Sequence, residues 1–259
     1  MQRPVDSVLG FGERKFQFPI ALFTIFRKTI DMRFPRSPLL AILLVAFVPS
    51  FSIVFSLILS DNERISQAVF FLCKLWIFMV PAIWYLKIDG KPLNFDLPSM
   101  NGLVMATATG VGMTSIIVAT WLSLGDSIDT QSMIEKLEDT GLTQSKLYIA
   151  GTIYWIFINS LLEEYVFRWF ITTKWSELLK NDFGAIILSA SMFTLHHTLA
   201  LHFFGFELWQ TVMASFGLLS AAAIWSWLYL KYRSIWVCWL SHAICDVAVF
   251  GIGYEIIFG

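Results

Sequence analysis

Two adjacent glutamates sit in the middle of an apolar run, NSLLEEYVFRWF, with an arginine four residues after the second: Glu163, Glu164 and Arg168. Glu164 and Arg168 share one helix face with the acid N-terminal to the base, the favourable order for a helical ion pair. Glu163 is rotated about 100° away and has no equivalent partner in its own helix. Two carboxylates in unlike environments can divide into a structural role and an acid–base role. A second run, SASMFTLHHTLAL, carries the neighbours His196 and His197, with Phe193 and His197 four apart on one face. A third, CWLSHAICDVAVF, carries His242 and Asp246, also four apart. At that spacing a carboxylate can orient an imidazole, or both can approach one ligand. Carboxylates and imidazoles together provide a base near an attacking water and donors for a developing oxyanion, which peptide hydrolysis needs. The same groups could hold Zn²⁺ or another divalent metal through Glu163, His197 and His242, with water in the fourth place. Taken alone, each segment is also compatible with a buried polar network that only fixes helix packing.

These residues need elements that can carry them through an unusual solvent. The chain of 259 residues is 57% hydrophobic and 14% charged, with 24 Phe and 11 Trp, and its mean hydropathy is +0.68. Soluble domains carry about 25% charged residues, so lipid is the expected solvent for much of the surface. A net charge of −1 gives no global case for a nucleic-acid partner. Cys73, Cys238 and Cys245 lie in apolar runs without CxxC spacing, which reads as core residues rather than a disulfide framework. A span needs about 20 mostly apolar residues. Segments 38–60, 68–87, 101–124, 146–172, 184–203, 208–230 and 234–257 qualify, and an eighth could lie within 16–33. The expected fold is an all-α polytopic transmembrane bundle of seven to eight spans. Residues 1–37 form a basic N-terminal segment in which 14–33 suits a helix lying on the membrane surface. Residues 38–259 form a single transmembrane domain, and acidic residues 125–145 mark its longest loop.

With the N-terminus in the cytoplasm, the inside segments hold thirteen Lys and Arg against three outside (Arg64, Lys136 and Lys146). The positive-inside rule therefore selects that orientation. Lys74 lies near the start of its span, where a long stem can snorkel to the interface. In this orientation Glu163, His197 and His242 lie about eight to thirteen residues from the cytoplasmic ends of their spans, hence roughly 12–20 Å deep at 1.5 Å per residue. They can meet in one layer on the cytoplasmic half. Charges at such depth are costly and survive where they pair, face the bundle interior or work.

The three motifs resemble those of the CPBP family of intramembrane glutamic endopeptidases, which includes the type II CAAX prenyl proteases and the Abi-type, bacteriocin-processing proteins. EEYVFR at 163–168 is similar to its EExxxR motif, FTLHH at 193–197 to its FxxxH motif, and HAICD at 242–246 to its HxxxN/D motif. They occur in order, each on its own span, within a protease-like core at about 146–250. The resemblance implies that Glu163 is the general base that activates water, that His197 helps hold that water, and that His242 and Asp246 stabilise the oxyanion. Glu164 and Arg168 would organise the site and Phe193 would pack against it. Many prenyl proteases have Asn where this chain has Asp246. Asn donates a hydrogen bond, whereas Asp donates only when protonated and otherwise orients His242. His196 matches no motif position. The family has been described both as metal-dependent and as metal-free, and the expectation here is metal-free.

The function expected is an intramembrane endopeptidase hydrolysing a peptide bond near a membrane-associated or prenylated, terminal peptide substrate in the bacterial inner membrane. One alternative is a non-proteolytic scaffold or immunity protein of the same fold, which would not need such costly buried groups. An ion-coupled transporter is the other; the chain lacks the repeated halves and the Gly/Pro-interrupted span pairs that mark many transporters.

Overall fold

The computed structural model describes residues 36–60, 62–91, 97–138 and 141–259. The interfacial helix expected at 14–33 and the eighth span within 16–33 lie outside them. Among the described residues the secondary structure is helical throughout, without strands. We label the helices α1 (Pro38–Val54), α2 (Glu63–Ile88), α3 (Met100–Ser127), α4 (Thr130–Glu138), α5 (145–179), α6 (Asp182–Phe203), α7 (Leu208–Tyr232) and α8 (Ile235–Phe258). Each of the seven apolar segments falls on one of them. By length and composition α2, α3, α6, α7 and α8 can cross a bilayer. Their exposed side chains include Phe70, Phe71, Trp76, Val104, Ile116, Val212, Phe216 and Val247, an apolar exterior suited to lipid. The protein is an integral membrane protein.

Helix starts follow from capping residues. Asn62 accepts from the backbone N–H groups of Arg64 and Ile65 at the head of α2. Ser99 does so for Gly102 at the head of α3. Asn181 accepts from Phe183 at the head of α6, immediately after Lys180 ends α5 in the left-handed region at φ 51°. Such side chains satisfy amide donors that the first turn leaves without partners.

Close backbone approach fixes α8 against α3. A Cβ on Gly102 would lie 2.8 Å from the Val237 side chain, and one on Gly110 would lie 3.0 Å from both Ile244 and the Ser241 carbonyl. The paired order, 102 with 237 and 110 with 244, makes the two helices parallel. Ala106, midway between the glycines, is fully buried. Hydroxyls bond across the seam: Thr109 Oγ1 lies 2.9 Å from Ser241 Oγ, and Thr114 donates to the Ile244 carbonyl at 3.1 Å. Helices in lipid associate through such small-residue contacts and interhelical hydrogen bonds rather than through the hydrophobic effect.

α5 is the hub. It runs through α (Ser145–Tyr154), π (Trp155–Asn159), α (Ser160–Glu163), π (Glu164–Thr172) and α (Thr173–Leu179) segments, and every residue from Glu164 to Thr172 is buried. Tyr165 donates to the Phe78 carbonyl on α2, Tyr148 to Phe250 on α8, and Trp239 of α8 donates back to Ile156. Ion pairs gather one end of the bundle, where Lys174 meets Asp89 at 2.5 Å and Glu177 at 2.8 Å, and Lys91 meets Glu177 at 2.8 Å. The opposite end is tied by Gln210 donating to the Ser127 carbonyl and Lys136 to that of Phe203.

Candidate active site

The EEYVFR segment coincides with a change of helix geometry. Glu163 closes an α segment and Glu164 opens the long π stretch. Widened turns of this kind recur at functional sites, and they leave the backbone to find new partners. Here the Phe167 carbonyl accepts from Thr172 Oγ1 at 2.8 Å and from Ser189 Oγ at 2.9 Å, with Ser226 Oγ at 3.3 Å from Thr172. Hydroxyls from α6 and α7 thus hold the π stretch in place.

Glu164 and Arg168 are fully buried, with Arg168 Nε 3.3 Å from Glu164 Oε2. The guanidinium lies 4.3 Å from the centre of the Phe193 ring and 5.2 Å from that of Trp225. The rings supply the cation–π partners that a desolvated Arg needs. The other Glu164 oxygen, Oε1, lies 2.8 Å from His242 Nδ1. A carboxylate held by Arg accepts, so Nδ1 carries a proton and the ring turns Nε2 inward. Asp246 Oδ1 lies 3.5 Å from that Nε2 and Glu163 Oε2 lies 3.9 Å from it. The close contact that orients His242 comes from Glu164, not from Asp246. Trp225 stacks on the imidazole at 4.0 Å with the planes 19° apart.

Glu163 keeps a little exposure, 16% of its side chain. Asn159, one turn earlier, donates from Nδ2 to Glu163 Oε1 at 2.7 Å, which leaves Oε2 on the His242 side. His197 Nδ1 lies 3.0 Å from the Phe193 carbonyl. A carbonyl only accepts, so Nδ1 carries the proton and Nε2 is left to accept or to ligate.

Glu163, His196 and His197 bring one ligand atom each within 4.8 Å of one another. Two acceptors at that separation can share one water at about 2.8 Å from each. This is also the divalent-metal donor set found among the described residues, and it holds His196 where the sequence suggested His242. A bonded Nδ1 behind a free Nε2 on His197 is the arrangement that a metal-binding imidazole uses, so the donors fit in kind. Ligands about 2.0–2.1 Å from zinc sit closer together than the 4.8 Å limit requires, so the trio would need to draw inward.

The structure brings together every residue that the spacing singled out, Glu163, Glu164, Arg168, Phe193, His197, His242 and Asp246, from α5, α6 and α8. It adds four that spacing did not reveal. His196 is buried, parallel to Phe167 at 5.5 Å and 4.0 Å from the His197 ring; neighbours on a helix normally diverge. Trp225 was one tryptophan among many in apolar runs. Asn159 lies four residues before Glu163, a spacing that could have marked it. Lys74, expected to snorkel, instead donates to Asn159 Oδ1 at 2.9 Å, because a half-buried amide acceptor lies within its reach.

Fold and site define the class: an all-α membrane protein with carboxylates, imidazoles and an arginine enclosed by its helices. Residues 145–248 match the family model for type II CAAX prenyl endopeptidase, Rce1-like. That stretch contains all three motifs, and over it the chain is similar to this family of membrane proteases. No curated protein and no solved structure matches the chain.

Proposed function

We propose that the protein is an intramembrane endopeptidase that hydrolyses a peptide bond near the end of a membrane-associated substrate, with Glu163 as the base. One observation carries the reading: Glu163 Oε2 faces His242 Nε2 while the Glu163 carboxylate also lies within 4.8 Å of a His197 nitrogen, in a segment that matches a prenyl endopeptidase family.

In this mechanism a water shared by Glu163 and His197 gives its proton to Glu163 Oε2 and attacks the scissile carbonyl. His242, protonated on both nitrogens between Glu164 and Asp246, donates from Nε2 to the oxyanion. The C–N bond then breaks as Glu163 passes its proton to the leaving amine. Asp246 steadies His242 from the Nε2 side. No metal takes part; were one bound, Glu163, His196 and His197 would hold it and it would supply Lewis-acid chemistry.

The family's name supports a C-terminal C-a-a-X sequence with a prenylated cysteine as substrate. We place the end of the bundle that carries Asp89, Lys91, Lys174 and Glu177 in the cytoplasm, on the basic bias of the connecting segments, with the protein in a bacterial inner membrane. The test is mass spectrometry of a farnesylated C-a-a-X peptide incubated with the purified, reconstituted protein. The reading predicts release of the a-a-X tripeptide at a rate unchanged by a divalent-metal chelator. An intact peptide at every protein concentration would contradict the substrate assignment. Activity lost to chelator and restored by Zn²⁺ would replace the metal-free mechanism.

A further inference from the structure

We propose that Lys74 and Asn159 are positioning residues for Glu163, a two-residue relay that runs from α2 across to the base. The proposal rests on the reading of Glu163 as the base. Lys74 Nζ lies 2.9 Å from Asn159 Oδ1, and Asn159 Nδ2 lies 2.7 Å from Glu163 Oε1. An ammonium group can only donate and a carboxylate can only accept. The amide between them therefore satisfies both in a single orientation, with its oxygen towards Lys74 and its nitrogen towards Glu163. A free asparagine can turn over; this one is locked by the cation behind it. Locking Oε1 fixes the plane of the carboxylate and leaves Oε2 as the oxygen that faces His242 at 3.9 Å. Helix geometry supports the arrangement, since Asn159 and Glu163 are four residues apart and share a face.

Lys74 is a cation within the apolar middle of α2, an expensive placement that marks a residue which pairs or works. Among the described residues, Lys74 donates to the Asn159 amide and lies 5.4 Å from the centre of the Phe70 ring. It lies on α2, outside the 145–248 stretch matched by the family, so the match assigns it nothing. A salt bridge would satisfy a lysine directly. This one instead reaches the carboxylate through an amide, which keeps Glu163 from being neutralised by a contact ion pair while still orienting it.

Lys74→Met and Asn159→Leu, assayed as reconstituted protein on the farnesylated C-a-a-X peptide, are expected to lower kcat about 10–100-fold with KM within about twofold, the cost of a misplaced reacting group. Lys74→Arg, which keeps a donor cation, should recover most of the rate. The double variant should be no slower than Asn159→Leu, because both changes act through one contact. A readout independent of substrate is the infrared carboxylate band of Glu163, isolated as the difference between wild type and Glu163→Gln; it should move in both single variants. An unmoved band, additive losses in the double variant, or losses that track the folded fraction measured by size-exclusion chromatography would overturn the relay. If Glu163→Gln is inactive while Lys74→Met runs at the wild-type rate, the relay fails alone. If Glu163→Gln is fully active, base and relay fall together.

Discussion

Glu164 holds two groups at once: Arg168 through Oε2 and His242 through Oε1. Removing its carboxylate leaves a buried guanidinium against aromatic rings with no anion beside it. Glu164→Ala is therefore expected to cost about 3–5 kcal/mol, read as a lowered midpoint in thermal unfolding in detergent. Glu164→Gln keeps the shape and spares much of that loss, but it weakens the hold on His242. Its expected phenotype is about a 10–100-fold slower cleavage, the usual penalty when an imidazole loses its orienting partner. Equal stability for Glu164→Ala and wild type would refute the anchoring role. The pairing of Glu164 with Arg168 was legible in the sequence because four-residue spacing on a helix dictates proximity. Its second bond, to His242, was not, since nothing in the spacing of one helix states which face of another will meet it.

At the scale of elements, the position of His242 and Asp246 depends on how closely α8 lies against α3. Gly110 has no room for a side chain: a Cβ there would press on Ile244 and the Ser241 carbonyl at 3.0 Å. Gly110→Leu should push α8 outward and cost about 1–3 kcal/mol through overpacking. It should also slow cleavage although it touches no reacting group. Thermal unfolding and the cleavage rate measured together check this, and a variant as stable and active as wild type would show that the seam does not matter. The existence of seven apolar helices could be read from hydropathy alone. The π stretch at Glu164–Thr172 could not, because neither Pro nor Gly marks it; it goes with the hydroxyls of Thr172 and of Ser189 on α6, which capture the Phe167 carbonyl. His196 was set aside for a similar reason. Adjacent residues diverge on a regular helix, yet packing on Phe167 brings its ring beside His197.

Across the whole molecule, α2 and α5 are tied at one end by Asp89, Lys91, Lys174 and Glu177. Burial pushes the Glu177 carboxyl up, but the hydrogen bonds and charges of Lys174 and Lys91 outweigh burial and hold it below the ordinary carboxylate range. A group whose folded pKa is depressed contributes stability above its unfolded pKa and loses it as pH falls through the folded value. The gap in melting temperature between wild type and Glu177→Gln should therefore be full at neutral pH and close on acidification through and below the carboxylate range. A gap that widened in acid would contradict the assignment. Glu177 and Lys91 are partly exposed, so the effect is modest.

The central claim is that Glu163 is the base of a membrane protease. It is tested most directly by the cleavage rate of the farnesylated C-a-a-X peptide with reconstituted wild type and Glu163→Gln, matched for folded protein. A positioned base contributes about 10²–10⁴-fold, so the variant should fall by at least about a hundredfold with its melting temperature near that of wild type. Cleavage by Glu163→Gln at the wild-type rate would contradict it.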